Sequence, residues 1–211
     1  MMKMKKYDII EEYLDELIPN PTCELNYFND YSLLMAVMLS AQTKDSRVNE
    51  VTKILFEKYK TLEMLRDADF YDLAEIIKPL GSFNKKAFNV KEMARILIHD
   101  FDGKVPMDRE LLENLPGVGR KTANVFLSEF LHIPAIAVDT HVERVSKRLK
   151  LVNMEATPLI IEKRLMKNIK KENWGKRHLQ LVLFGRYFCK AKKPECANCK
   201  LKDICSYYKK K

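Results

Sequence analysis

Leu115-Pro116-Gly117-Val118-Gly119-Arg120-Lys121-Thr122-Ala123-Asn124 joins two helical patterns and holds two of the chain's six glycines, one residue apart. Pro116 ends the segment before it, because the residue preceding a proline is pushed out of the α region. Gly117 and Gly119 permit positive φ and leave the backbone bare, so successive N–H groups can point outward together. From Arg120 to Leu131 the apolar rhythm is helical, which makes the turn a helix N-terminus. Bare amides there attract an anion, and phosphate is the natural one. The stretch therefore predicts a turn that grips a phosphate backbone through Gly117, Val118, Gly119 and Arg120, with Lys121 beside it.

The rest of the chain agrees with a polyanionic partner. Its 211 residues carry 38 Lys and Arg against 29 Asp and Glu, a net charge of +9. A chain of this length buries a sizeable core as one or two domains. Met1-Met2-Lys3-Met4-Lys5-Lys6-Tyr7 lacks the apolar core of a signal peptide. The longest clear apolar run, Leu33 to Leu39, is too short to span a membrane and suits a buried helix. An intracellular protein without a structural disulfide network is expected.

Helical periodicity dominates the whole length. Ile10, Tyr13, Leu14, Leu17 and Ile18 share a face that closes at Pro19. Asp45 is placed to cap a helix with Val48, Val51, Leu55 and Tyr59 inward. Further helices are predicted over about 69–77 and 85–98, with a short one capped by Asp108. Asp139 or Thr140 caps a helix to about Leu149, Thr140 with Glu143 having capping-box spacing. Pro158 opens a helix to about Ile169, and His178 to Phe188 forms the last. With no convincing period-2 strand, the fold class is all-α.

Four of the five cysteines, Cys189, Cys196, Cys199 and Cys205, lie within seventeen residues of the tail, spaced x6, x2 and x5. On a loop with little apolar content they suggest a metal site that folds the loop. Zinc and an iron–sulfur cluster each accept four cysteines. Zinc commonly uses two x2 pairs and only Cys196 and Cys199 make one here, which favours a [4Fe–4S] cluster. Lys190, Lys192, Lys193, Lys200 and Lys202 on a pinned loop would meet phosphates, whereas Lys209 to Lys211 read as a solvated tail. Cys23 reads as a small buried hydrophobe.

Lys121 sits in the first turn of a helix, where the dipole and unpaired N–H groups disfavour a cation, and Arg120 adds like charge. Both favour the neutral amine, the nucleophile that attacks a carbon bearing a leaving group. A plain phosphate-binding lysine would satisfy the same position. Asp139 shifts the balance. A helix from Arg120 to Leu131 is roughly 18 Å long, and residues 132–138, if extended, return that distance. Asp139 can thus lie near Lys121, though a plain N-cap is its commoner role.

Together these stretches resemble the endonuclease III family of DNA glycosylases, within the helix-hairpin-helix superfamily. Leu115 to Ala123 resembles its hairpin, and Val138-Asp139-Thr140-His141-Val142 its aspartate segment. Gly185-Arg186-Tyr187 with the four cysteines resembles its [4Fe–4S] loop, and Leu39-Ser40-Ala41-Gln42-Thr43 its early motif. The resemblance implies a base-excision-repair enzyme that acts as a monomer on double-stranded DNA containing damaged bases or abasic sites. Lys121 would attack C1′ of a flipped-out oxidised pyrimidine and then drive β-elimination, assisted by Asp139. Gln42 would fill the gap left by the base, and the hairpin with Lys192 and Lys193 would hold phosphates. The implied architecture is two helical domains with an active-site cleft between them, a central six-helix domain over 23–133 and a second from 1–22 plus 134–211. Gly81-Ser82-Phe83-Asn84-Lys85-Lys86-Ala87 departs from the family, which commonly has a leucine wedge at Ser82. Serine cannot wedge a base stack through apolar contact, so either Phe83 takes that part or the opposing-strand contact differs. A mismatch-specific or monofunctional glycosylase, and a non-catalytic DNA-binding module, are the competing readings.

Overall fold

Residues 6–210 are described by a computed structural model; Met1 to Lys5 of the N-terminal stretch and Lys211 of the basic tail lie outside the described residues. Several helices begin at side-chain caps. Asn29 and Ser32 form a reciprocal capping box, Asn29 accepting from the Ser32 N–H and Ser32 Oγ from the Asn29 N–H, both at 3.0 Å. The helix they start, α2 (Asp30–Leu39), follows α1 (Lys6–Leu17). All of α2 from Tyr31 to Leu39 is buried, as its unbroken apolar sequence requires.

Around α2 the segment Cys23–Leu131 forms one compact unit. It contains α3 (Asp45–Lys58), α4 (Leu62–Asp67), α5 (Phe70–Ile77), α6 (Phe83–Phe101), α7 (Arg109–Glu113) and α8 (Arg120–Glu129). α6 packs on α4 and α5, while α8 packs on α2 and α7. Val48, Val51 and Leu55 point inward from α3, and Asp69 and Asp108 cap α5 and α7. Two details differ from the sequence reading. Asp45 is the first helical residue of α3 and Lys44 stands at its N-cap, without a side-chain bond. Cys23 is half-buried, not a core residue.

The remaining chain, up to Thr22 and from His132 onward, forms the other unit. It holds α1, α9 (Thr140–Arg148), α10 (Pro158–Asn168) and α11 (Trp174–Leu183), with a π-helical turn over Phe184–Phe188. Ile10, Leu14, Val142, Val145, Ile161, Leu165, Leu181 and Phe184 share its core. The last helix starts at Trp174, four residues before the expected His178, and Thr157 caps α10 ahead of Pro158. Among the described residues there is no strand, and no helix is long and apolar enough to cross a membrane.

Polar bonds fasten α1 to the far end of the sequence. Arg177 meets the Asp15 carboxylate through both terminal nitrogens at 2.7 Å and Glu11 at 2.9 Å. Gln180 Nε2 donates to the Leu14 and Ile18 carbonyls, and Lys200 pairs with Glu16. The Arg177 guanidinium, aided by Lys176, holds the Asp15 carboxyl below the usual carboxylate range. That stabilisation is complete above the ordinary aspartate value of 3.8 and is lost as pH falls below it. Asp15→Asn should therefore cost on the order of 1 kcal/mol at neutral pH, the partly exposed site limiting the effect. Thermal melts should show the gap to wild type narrowing progressively as pH falls below 3.8.

Candidate active site

The hairpin is built from α7, a tight turn and α8. Asp108 Oδ1 accepts from the Glu110 N–H at 2.8 Å and the Leu111 N–H at 3.2 Å, which starts α7. Leu115 and Val118 are buried and tie the turn inward, with the Val118 N–H donating to the Leu115 carbonyl at 3.0 Å. Gly117 takes φ +77°, and a Cβ there would lie 2.4 Å from Asn89 Nδ2 and 3.0 Å from Met38 Cγ. Conformation and space both require glycine at that point. Gly119 differs from the sequence reading, since its φ of −107° is open to any residue. It is the N-cap of α8, has no side chain to bond the first-turn amides, and a Cβ on it would meet nothing within 4 Å. The protein interior places no demand on this glycine, and the α8 N-terminus is left without a side-chain cap.

α8 turns Ala123, Asn124, Phe126 and Leu127 inward. Lys121 is thereby exposed, one residue into the helix whose entry Gly119 leaves open. Asp139 lies in the other unit, after the buried connector Ala135 to Val138. It is the N-cap of α9, its Oδ1 accepting from the His141 N–H at 2.9 Å and the Val142 N–H at 2.8 Å. The Thr140–Glu143 capping box does not form, because the Asp139 carboxylate occupies the cap and Thr140 is already helical.

Gln42 is exposed in the turn after α2 at φ +58°, and Ser82 is exposed before α6 at φ +46°. Left-handed backbone at a non-glycine residue costs on the order of 1–2 kcal/mol and persists only when its surroundings impose it. Both turns are tied to Lys86, which sequence reasoning missed. Its side chain is buried, and Nζ donates to the Ala41 carbonyl (3.0 Å), the Leu80 carbonyl (2.9 Å) and Thr43 Oγ1 (3.3 Å). The sequence did hold a signal, because Lys86 is in helical phase with the buried Val90, Met93 and Leu97. Phe83, the alternative wedge, is half-buried at the start of α6.

In the tail, Cys189, Cys196, Cys199 and Cys205 are unpaired and half-buried, and all four line one cavity of about 310 Å³ walled by Tyr13 and Phe184. Among the described residues no three His, Cys, Asp or Glu side chains form a group suited to a single metal ion. Burial pushes the Cys189 and Cys199 thiols up, while Arg148 counteracts it at Cys189 with an N–H 3.4 Å from Sγ. Arg148 also donates to the carbonyls of Cys189, Lys190 and Ala191, and Arg144 to those of Cys189 and Gly185. Both arginines come from α9, so the helix that Asp139 starts also anchors the cysteine loop. Lys192 and Lys193 are exposed on that loop, Lys193 at φ +48°. Lys190 and Lys200 form surface ion pairs with Glu195 and Glu16.

An exposed lysine in the first turn of α8 and an aspartate capping α9 are the candidate reactive groups, one in each unit. Residues 35–171 match the family described as "HhH-GPD superfamily base excision DNA repair protein". The endonuclease III of Bacillus subtilis (strain 168) is 45% identical over 205 residues, 97% of this chain and 94% of its own. A solved trapped endonuclease III–DNA covalent intermediate superposes with a TM-score of 0.94 at 45% identity, covering 99% of each chain. A thermostable thymine-DNA glycosylase gives 0.83 at 25% identity over 98% of each chain. The chain belongs to the endonuclease III family of that superfamily.

The two hairpin glycines should separate in experiment. Gly117→Ala meets Asn89 and Met38 and should lower stability by about 2 kcal/mol or more, read as a fall in melting temperature. Gly119→Ala should cost less than about 1 kcal/mol, and a weakened duplex affinity in this variant would mark the α8 N-terminus as a backbone contact.

Proposed function

We propose that this chain is a base-excision-repair DNA glycosylase with an abasic-site β-lyase activity, releasing oxidised pyrimidines from duplex DNA through a Schiff base on Lys121. The observation that carries the reading is the exposed Lys121 two residues beyond Gly119, an N-cap with no side chain. It gains support from the 99% overlap with an endonuclease III trapped covalently on DNA. The greater likeness to that protein than to a thymine-DNA glycosylase favours the bifunctional reading over a mismatch-specific one.

In the proposed reaction the hairpin amides and Lys192–Lys193 hold phosphates, which fixes the strand while the damaged nucleotide is extruded. The Lys121 Nζ lone pair attacks C1′, the C1′–N bond breaks, and the base leaves with the bonding electrons and takes up a proton. Loss of the amine proton and opening of the sugar ring at O4′ give the imine. Removal of a C2′ proton then expels the 3′ phosphate, and water hydrolyses the imine to free Lys121. Asp139 is assigned the proton transfers at Lys121 and the stabilisation of positive charge on the sugar. Both of its capping bonds fall on Oδ1, which leaves Oδ2 for that work.

The four cysteines suit a [4Fe–4S] cluster, since they ring a cavity of about 310 Å³ and one faces the Arg148 guanidinium. A single zinc ion, with sulfurs at ~2.3 Å, would need them drawn to one point. When bound, the cluster would cross-link the loop and hold Lys192 and Lys193 toward the backbone.

Borohydride should trap wild-type protein on DNA bearing an oxidised pyrimidine, and Lys121→Ala should abolish the adduct; an undiminished adduct would remove Lys121 from its role. Asp139→Asn preserves the cap acceptor, so its stability should stay within about 1 kcal/mol of wild type while base release falls more than ~100-fold. Metal analysis should give about four iron atoms and matching labile sulfide per chain, and Cys196→Ser should lower iron content and duplex affinity together. One zinc per chain would refute the cluster.

A further inference from the structure

Lys86 is the one lysine whose side chain sits on the buried face of α6, 6% exposed and in phase with the core residues of that helix. A buried ammonium is normally matched by a carboxylate. Here its acceptors are two main-chain carbonyls and one hydroxyl, none of them acidic. Burial alone draws its pKa downward, so the charge depends on those three dipoles staying in place.

The placement of the acceptors is informative. Ala41 and Thr43 flank Gln42 on either side, and Leu80 lies two residues before Ser82. Thr43 Oγ1 in turn donates to the Leu80 carbonyl at 2.9 Å, closing a bridge between the two turns. Gln42 and Ser82 are the left-handed, exposed residues at the apex of each. Neither turn can move away from the other without leaving the ammonium short of an acceptor inside the protein, where an unmet charge is costly.

We propose that Lys86 is a positioning residue for base extrusion, locking the Gln42 and Ser82 turns into one rigid wedge that enters the duplex at the damaged nucleotide. This rests on the proposed contact of Gln42 with DNA. The serine at position 82 makes the lock more important, because a side chain too small to part the bases can only brace the strand through its backbone. Lys86 touches no reacting atom and acts through the turns.

The test compares borohydride trapping of the full-length protein on one abasic site placed in a duplex and in the single strand of the same sequence. Only the duplex has a stack to enter. Lys86→Met should lower the duplex-to-single-strand ratio by about tenfold, the size expected for a charged hydrogen-bond network, with 2-aminopurine opposite the site losing its unstacking signal. Gln42→Ala should lower the ratio comparably, and the double variant should be little worse than either, since both disable the same wedge. Equal loss on both substrates, or effects that multiply in the double variant, would overturn the proposal. A wild-type ratio in Gln42→Ala would instead overturn the DNA contact on which it rests. Thr43→Val cuts the same bridge with little change of shape, and it carries the test if Lys86→Met does not fold. An unchanged ratio in Thr43→Val then refutes the lock.

Discussion

At Gly117 the backbone passes so close to Asn89 of α6 and Met38 of α2 that no side chain fits between them, and the left-handed φ at that residue admits little but glycine. This contact seats the hairpin on two core helices at once. With the turn fixed from below, α8 can leave in one direction only, its Ala123, Phe126 and Leu127 face packed down and Lys121 turned outward. The open side of Gly119 follows from the crowding under Gly117. One glycine is demanded by the protein's own packing, and the other is not.

A comparable economy governs α9. Its first turn is held by the Asp139 carboxylate, and two arginines on it bond the carbonyls of the cysteine loop. Arg148 further stacks on Tyr207, 4.0 Å from the ring centroid, which secures the loop's far end as well. A nine-residue helix thus spans from the proposed general base to the loop carrying Lys192 and Lys193. Removing the aspartate charge and loosening the cysteine loop are separable perturbations of the same element.

Much of this was readable from residue order because helices announce themselves locally. The apolar run of α2, the caps Asp69 and Asp108, and Pro158 at the head of α10 each act within one or two turns. α4 went unread since six residues are too few to display a period. The competition between Asp139 and Thr140 for the α9 cap depends on where the chain enters the helix, which the buried connector Ala135 to Val138 decides. Lys190 and Lys200 counted as free cations until the fold brought Glu195 and Glu16 to them. Lys86 stood in an apolar stripe, yet its bonds include a carbonyl 45 positions away that no linear pattern contains. The hairpin was the opposite case, since its glycines, its proline and its lysine lie in ten consecutive residues.

The bonds from Arg177 to Glu11 and Asp15 join residues more than 160 positions apart in sequence, Glu11 and Arg177 being separated by 166. On a ribosome this separation becomes a delay. The unit over Cys23–Leu131 is complete in the growing chain while α1 still lacks α11, and at ~5–20 residues per second the wait lasts several seconds or more. Until residues 136–165 emerge, Ile10, Tyr13 and Leu14 lack the apolar partners of their core, and Leu181 and Phe184 complete it last. The acidic residues spaced between them keep the waiting helix hydrated, so the carboxylates that later bind Arg177 first serve to keep a nascent segment from sticking to others.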